Sequence, residues 1–249
     1  MKKVFLFVTM CVLTLSLAAQ GNNVAKVERQ KDGFASERVG NEVWEGNYAD
    51  GQKQGLWVKY NDKKLVRGIV EYKNGEKHGL ELIFDRNGYI SADNHYVDGQ
   101  LHGICKTYLH GTSLLTSISY VNGKYDGLYE SYYRDKPSQK LQETFYKYGL
   151  KDGKSVYYSP NGKPIAEYSY SADKFNGVNK TFWENGNLKI EEVYENDVPV
   201  GEYKEYFDDG MTIKVKGAYK NGLKEGTWLE YNLDGQQVKK MQYSKGNLK

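Results

Sequence analysis

A repeat of about 24 residues constrains the fold of this chain more than any other feature of the sequence. Each of the first eight copies contains a tyrosine, a glycine seven residues later and an aromatic residue twelve residues later. The tyrosines, with a ninth in a shortened last copy, are Tyr48, Tyr72, Tyr96, Tyr120, Tyr146, Tyr170, Tyr194, Tyr219 and Tyr243. The glycines are Gly55, Gly79, Gly103, Gly127, Gly153, Gly177, Gly201 and Gly226. A fixed period of this length indicates one supersecondary unit that stacks on copies of itself.

Each copy has the pattern of a β-hairpin. In residues 55–60, side chains alternate with a period of two, as Leu56 and Val58 do with Trp57, which is typical of a strand. A second run rich in Val, Ile and Tyr follows in residues 65–72, and segments rich in Asn, Asp and Gly separate the runs. We therefore expect an all-β fold, an elongated single-layer antiparallel β-meander of repeated hairpins with about sixteen to eighteen strands.

We predict that the eight repeat glycines are structural turn residues. Glycine adopts left-handed backbone angles without a Cβ clash, which tight turns require. An earlier turn position is also glycine in most copies, as at Gly75, and is aspartate at Asp173 and Asp197. Aspartate is one of the few other residues that tolerate this conformation. One copy has 26 residues, and we place its extra residues, within 134–138, in a surface turn.

A single sheet has no second layer to cover it, and the twenty-three tyrosines suit this situation. A tyrosine ring covers apolar neighbours while its hydroxyl stays in water, and each cross-strand pair contributes about 0.2–1 kcal/mol. We expect this ladder to be structural. A candidate partner-binding surface is the second strand face, which carries Trp57, Tyr129, Tyr157, Tyr203 and Trp228 beside Thr107, Ser155, Asn179 and Thr181. Exposed rings beside small polar groups suit proteins, extended peptides or sugars, and the alternative is that the rings only shield the sheet.

The two ends of the array differ from its middle. Residues 1–19 have a short positive start, an apolar run and small residues, which is the pattern of a secretory signal peptide. We expect residues 20–43 to be an N-terminal cap or a flexible segment, and residues 44–249 to be the array of about eight repeats. The chain is then exported to the periplasm or the extracellular space, without an integral membrane span after the leader is removed.

Composition excludes some partners and some kinds of stabilisation. The formal charge is +3, and loss of Lys2 and Lys3 with the leader lowers it to about +1, which gives no electrostatic argument for nucleic acid. The two cysteines are Cys11, inside the predicted leader, and Cys105. Without the leader no intrachain disulfide can form, so stability has to come from the array.

We find no pattern that indicates a catalytic, cofactor or metal site. His78 and His102 hold the same position in consecutive copies, and two strand spacings separate them by about 9.6 Å. Two ligands of one zinc ion lie much closer, because each bond is about 2 Å long. Nucleophile-elbow, paired-cysteine and phosphate-loop motifs are missing from the sequence. We therefore expect no cofactor and no enzymatic activity.

Two stretches carry a family resemblance, residues 44–57 and residues 215–228. Both contain an aromatic residue, a glycine three positions later, a second glycine after three more residues, and an aromatic residue two positions further on. This pattern resembles a MORN repeat, and it extends over about residues 44–246. The copies are nearer to the bacterial variant, whose members include proteins labelled YwqK-like antitoxins. The resemblance implies an extended meander that acts as a scaffold or contact surface, with no shared catalytic residues.

Three hypotheses for function follow from these observations. The first is an exported, non-enzymatic scaffold or protein-binding module of the bacterial cell envelope. The second is an antitoxin-like or immunity protein that neutralises a partner toxin, which rests on the resemblance alone. The third is a protein that binds or acts on envelope glycans. Because every copy shares the repeat marks, we expect specificity to lie where the copies differ.

Overall fold

The computed structural model describes residues 32–249, and these form one open antiparallel sheet of 21 strands without a helix. The strands are β1 Gly33–Val39, β2 Glu42–Ala49, β3 Gln52–Tyr60, β4 Val66–Lys73, β5 Glu76–Phe84, β6 Ile90–Val97, β7 Gln100–Leu101, β8 Gly103–Leu109, β9 Ser113–Val121, β10 Lys124–Tyr132, β11 Lys140–Lys147, β12 Leu150–Tyr158, β13 Pro164–Ser171, β14 Lys174–Phe175, β15 Gly177–Phe182, β16 Leu188–Glu195, β17 Val198–Tyr206, β18 Ile213–Lys220, β19 Leu223–Tyr231, β20 Gln237–Ser244 and β21 Asn247–Leu248. Successive strands pair along the chain, which confirms the all-β meander.

The strand count differs from the prediction for local reasons. Two strands are interrupted, so β7 and β8 together lie against β6, and β14 and β15 together lie against β13. The segment before the repeats contributes β1, which pairs with β2. The predicted signal peptide, residues 1–19, lies outside the described residues, and so does the part of the predicted cap that precedes Asp32.

Two-residue turns join the strands of each hairpin along one side of the sheet, at one end of the strands and not on a face. In each of them the first residue has φ between 47° and 52° and the second has φ between 68° and 90°. They are Asp50-Gly51, Asn74-Gly75, Asp98-Gly99, Asn122-Gly123, Tyr148-Gly149, Ala172-Asp173, Asn196-Asp197, Asn221-Gly222 and Lys245-Gly246. Positive φ at both positions is the type I′ geometry, which matches the twist of the flanking strands. Asp173 and Asp197 have the left-handed conformation expected for them.

The eight repeat glycines have positive φ, between 66° and 113°, but they do not lie in these turns. The structure places Gly55, Gly79, Gly103, Gly127, Gly153, Gly177, Gly201 and Gly226 in strands or at a strand start, four residues after the turn. The register of the hairpin shifts there: Gln54 lies opposite Asn47, whereas Val58 lies opposite Glu45. Three residues of β3 therefore lie opposite Gly46 alone, which is a β-bulge. The repeat glycines supply the positive φ that these bulges need, and the prediction that they are turn residues is wrong.

The longer turns on the other side of the sheet contain the insertion. Residues 134–138 lie between β10 and β11, where Tyr133 N–H donates to the Gln139 carbonyl at 3.0 Å. The extra residues thus lengthen a connection without disturbing the strand register, as the sequence predicts.

The hairpin register places the nine repeat tyrosines on one face of the sheet, here called the tyrosine face. Neighbouring rings contact each other along it, for example Tyr48 with Trp57 at 5.1 Å between centroids, and Tyr120 and Tyr146 with Tyr125 at 5.0 and 5.1 Å. The fully buried side chains all lie on this face: Trp57, Val70, Thr144, Ser155 and Trp228. A layer of rings thus replaces a second sheet.

Side chains of matched size fill the bulges. Trp57 lies directly over Gly46, where an added Cβ would be 2.4 Å from the indole ring, and Trp228 lies over Gly217 in the same way, at 2.2 Å. Each indole also donates a hydrogen bond to a neighbouring backbone carbonyl, at 3.1 and 3.2 Å. A glycine on the first strand is therefore what allows a tryptophan to pack flat on the sheet.

Candidate functional site

The residues predicted to form an exposed binding face lie on the tyrosine face, and two of them are buried. Trp57 is 0% exposed and Trp228 is 1% exposed. Tyr129, Tyr157 and Tyr203 are partly covered by neighbouring rings. The small polar residues placed beside them are largely covered as well: Ser155 and Asn179 are buried, and Thr107 and Thr181 are partly buried.

Ring contacts explain why this surface is closed. Tyr203 packs against Tyr219 at 5.9 Å and against Trp228 at 5.4 Å between centroids, and Tyr157 packs against Tyr168 at 5.9 Å. Tyr129 and Tyr146 are 6.2 Å apart. The prediction of an exposed second strand face is therefore wrong, and the alternative, that these rings shield the sheet, describes their packing.

Lysine side chains cover the same rings from the solvent side. The ammonium group of Lys53 lies 3.9 Å from the ring centroid of Trp57, and that of Lys224 lies 4.1 Å from Trp228. Lys77 lies 4.7 Å from Tyr96. Such contacts contribute about 0.5–1 kcal/mol at exposed sites and leave less of the ring open to a ligand.

A buried carboxylate, Glu81, takes the place of the tryptophan in the second copy. It accepts hydrogen bonds from Lys77 at 2.6 Å and from Asn94 and Tyr96 at 3.0 Å. Burial by itself would raise the pKa of Glu81, but these donors outweigh it and hold the pKa below its usual value. The charge is satisfied inside the tyrosine face, which is a structural arrangement.

The opposite face of the sheet carries a line of exposed and half-buried apolar side chains, here called the apolar row. It consists of Phe34, Leu56, Leu80, Ile104, Leu128, Phe145 and Val178. All but Phe145 directly follow a bulge glycine or Gly33, and Phe145 lies opposite Leu128 on the next strand. Phe34, Leu56, Ile104, Phe145 and Val178 are 44% to 60% exposed.

Register explains why these side chains form one line. Leu56 lies opposite Glu71 and Ile104 lies opposite Ser119, at the same level of the sheet in each copy. Copies are two strands apart, so apolar side chains recur about every 9.6 Å. From β1 to β15 the row extends over about 58 Å. The line is interrupted at Lys154 and ends at Val178, because the later copies have Glu202 and Thr227 at this position.

Charged pairs lie beside the apolar row on the same face. Lys154 contacts Glu167 at 2.8 Å, Lys180 contacts Glu191 at 3.1 Å and Lys204 contacts Glu202 at 2.7 Å. Lys140 binds both Glu130 and Glu143, and the hydrogen bonds that its ammonium group donates to these carboxylates raise the pKa of Lys140. Exposed pairs of this kind contribute about 0–1 kcal/mol to stability, so their main effect is to give the apolar row a charged border.

The sequence contains a signal for the apolar row. Large apolar residues recur directly after the repeat glycine, at Leu56, Leu80, Ile104, Leu128 and Val178. With a two-residue turn, Tyr48 lies opposite Lys53, which places Trp57 on the side of Tyr48 and Leu56 on the other. The prediction that Gly55 lies in the turn left this register open.

Burial raises the pKa of the Cys105 thiol, which keeps it protonated. Within residues 32–249, no group of three or more His, Cys, Asp or Glu side chains is arranged to hold a metal ion. Over the same part of the chain, no helix has the length and apolar character needed to cross a membrane.

Comparison with known proteins matches two consecutive copies of the repeat. Residues 151–172 and 175–196 match the family model described as MORN repeat variant. These residues extend from β12 to β16, in the middle of the array. The match supports a MORN-repeat family, as the sequence resemblance implies. No curated protein sequence matches the chain.

Proposed function

We propose that this chain is an exported, non-enzymatic repeat protein of the bacterial cell envelope that binds a partner protein through the apolar row. The MORN-type repeats support the general class, because repeat arrays present extended surfaces. The composition of residues 1–19 supports export.

The observation that carries the proposal is the recurrence of exposed apolar side chains at one level of the sheet, copy after copy, along the apolar row. Single exposed apolar residues are common on proteins, whereas a group of them aligned on one face with a polar border is typical of an interaction site. Leu128 and Phe145 lie directly opposite each other, and ion pairs such as Lys154–Glu167 border them. An apolar centre with a charged rim is the usual anatomy of a protein interface.

The length of the row favours a protein over a small ligand. A surface of about 58 Å along one face exceeds the reach of a small molecule, which binds in a concave pocket. The row is also open to solvent along one face of a single-layer sheet. A partner with an extended apolar strip, or an extended peptide, matches this geometry.

Affinity capture from envelope extract, with identification of the bound protein, tests the proposal. The row variant carries Leu56→Glu, Ile104→Glu and Val178→Glu. The control carries Leu65→Glu, Met211→Glu and Leu233→Glu, which are also exposed apolar residues but lie near the longer turns. We expect the control to capture the same partner as the wild type and the row variant to lose it, with unchanged circular dichroism. Equal capture by all three proteins would refute the assignment of the apolar row.

The resemblance to the bacterial variant suggests a narrower form of the same proposal. An exported immunity protein would use the row to cover a toxin. Co-expression with the product of a neighbouring toxin gene is the corresponding test, and rescue of growth that depends on Leu56 and Ile104 is the expected result.

A further inference from the structure

The two edge strands of the described sheet have complementary positions in the repeated hairpin. Within residues 32–249, β1 pairs with β2 alone, and β20 pairs fully with β19 but with β21 only at Tyr243 and Ser244. Gly33 lies opposite Tyr48 just as Gly55 lies opposite Tyr72, so β1 has the register of the second strand of a hairpin. β20 contains Tyr243 and has the register of a first strand. In the described sheet, β1 is thus a second strand with no first strand on its outer side, and β20 is a first strand with only the short β21 on its outer side.

Gly33 at the start of β1 already has the backbone conformation that a second strand needs in order to pair with a first strand. Gly33 has φ of 100°, close to 102° at Gly127 and 105° at Gly153. At Gly127 and Gly153 this conformation forms the bulge against the first strand of the same hairpin. At β1 the same shape is present at the outer edge of the described sheet. A pre-formed edge lowers the entropy cost of adding a strand.

Extending the internal register across the two edges pairs opposite charges. Inside the array, Trp44 lies opposite Lys59. Lys239 corresponds to Trp44 and Glu37 corresponds to Lys59, so a β20–β1 pair would place Lys239 opposite Glu37. Lys239 already faces a glutamate on its other side, Glu230, at 3.7 Å. Cross-strand pairs of opposite charge stabilise a sheet, and like charges directly opposite each other destabilise it.

The same register also matches side-chain size. In the array, the residue two positions after the bulge glycine packs over the residue two positions before the repeat tyrosine, as Trp57 does over Gly46. Across the edges, Ala35 would meet Met241. A small residue again faces a large one, and both lie on the tyrosine face.

Backbone groups of β20 point away from β19, toward the outer edge of the described sheet. The carbonyl of Gln242 accepts a hydrogen bond from Lys249 N–H at 2.8 Å, so the polar groups of Gln242 face away from β19. Because backbone direction alternates with a period of two, those of Lys240 face the same way. A strand added beside β20 would pair with the backbone groups of Lys240.

We propose that copies of this protein join head to tail, with β20 of one copy pairing with β1 of the next so that the sheet continues from one molecule to another. The occupant of each edge is a second copy of this chain. Such a heterologous contact repeats without closing, so the assembly grows beyond a dimer. Pairing of β20 with a second β20 is disfavoured, because it brings the adjacent lysines 239 and 240 of both copies together.

A charge swap tests this arrangement in sedimentation velocity experiments on the full chain. We expect wild-type mass to increase with concentration past that of a dimer. Lys239→Glu and Glu37→Lys, each alone, should need at least about tenfold higher concentration to assemble, because like charges then face each other. An equimolar mixture of the two variants should assemble as the wild type does. Lys174→Glu, an exposed charge change on β14 in the middle of the array, is the control and should have no effect.

A second variant does not depend on Glu37, which also binds Lys53 and Tyr48. Lys240→Pro removes an outward N–H and leaves the β19 ladder intact, so it should block assembly while preserving the circular dichroism spectrum. The proposal is overturned if the wild type stays monomeric at all concentrations or stops at a dimer. It is also overturned if Lys240→Pro assembles normally, or if the charge-swap mixture does not.

Discussion

Replacing Gly46 by alanine tests how a tryptophan is held on a sheet that has no second layer. Trp57 is fully buried, its Nε1–H donates to the Asn47 carbonyl at 3.1 Å, and its ring contacts Tyr48 and Tyr72 at 5.1 and 6.3 Å between centroids. A Cβ at Gly46 would be 2.4 Å from Cδ2 of Trp57. Gly46 does not have positive φ, so the backbone accepts alanine and any cost arises from the displaced ring.

The expected free energies follow from this geometry. Trp57→Ala removes a buried ring and should lower the free energy of unfolding by about 3–5 kcal/mol. Gly46→Ala should lower it by about 1–3 kcal/mol, because overpacking forces the indole off its site. With Trp57→Ala already present, Gly46→Ala should instead raise it by about 0.5–1 kcal/mol, since alanine suits a strand better than glycine. The coupling between the two sites is therefore at least about 1.5 kcal/mol.

Urea unfolding followed by far-ultraviolet circular dichroism measures all four proteins of this cycle. Gly68→Ala is the matched control, because its added Cβ would lie 3.4 Å from the Leu82 carbonyl oxygen with no aromatic ring above it. We expect the control to change stability by less than about 1 kcal/mol. An equal cost for Gly46→Ala with and without the Trp57 ring would refute the size-matching argument.

Three further predictions concern the tyrosines, the buried carboxylate and the turns. Burial raises the pKa of Tyr170, Tyr194 and Tyr203 to about 12 from 10.0, so their contribution to stability is complete below pH 10 and is lost as the pH rises through 12. Thermal midpoints and tyrosinate absorbance measured against pH should show this loss. Titration of all tyrosines near pH 10 would contradict it. Glu81→Gln should lower the free energy of urea unfolding by about 1.5–3 kcal/mol, because charge-assisted hydrogen bonds from Lys77 and Tyr96 are lost; no change would mean that Glu81 is not satisfied as described. Tyr148→Asn should raise the thermal midpoint and increase the free energy of unfolding by about 1 kcal/mol, because Tyr148 has φ of 52° in a type I′ turn where asparagine is favoured. A lower midpoint would argue against this turn.

The sequence was sufficient to predict the meander, because its signals are local. A two-residue turn needs positive φ at two adjacent positions, and Asn74-Gly75 provides residues that adopt it. The substitution of glycine by Asp173 and Asp197 obeys the same backbone rule. Hairpin repetition then follows from the period of the sequence.

The faces of the sheet could not be assigned from the same signals. A strand has two faces, and which one a side chain occupies depends on the register, which the turn length sets. Gly55 was placed in the turn because both positions favour glycine, although an isolated glycine inside a strand pattern also indicates a bulge. Trp57 was consequently placed on an exposed candidate binding face, whereas the structure buries Trp57 and exposes Leu56.

Differences between copies have distinct consequences on the two faces. On the tyrosine face, variation is compensated locally, as when Trp228 packs over Gly217 and Glu81 recruits Lys77. On the opposite face, variation changes what is exposed, as when Ile104 is replaced by Thr227 at the same repeat position. Substitutions on the opposite face change the exposed surface and leave the packed rings unchanged. Partner specificity can therefore differ along one array.

Hydroxyl-radical footprinting of the free protein tests the central claim most directly, because it reports the exposure of side chains on both faces in one experiment. The claim is that the apolar row is open and that the rings opposite it are closed. We predict rapid oxidation of Leu56, Ile104 and Phe145 and strong protection of Trp57 and Trp228, although free tryptophan is intrinsically the more reactive. Rapid oxidation of Trp57 and Trp228 with protection of the apolar row would contradict the assignment of the two faces.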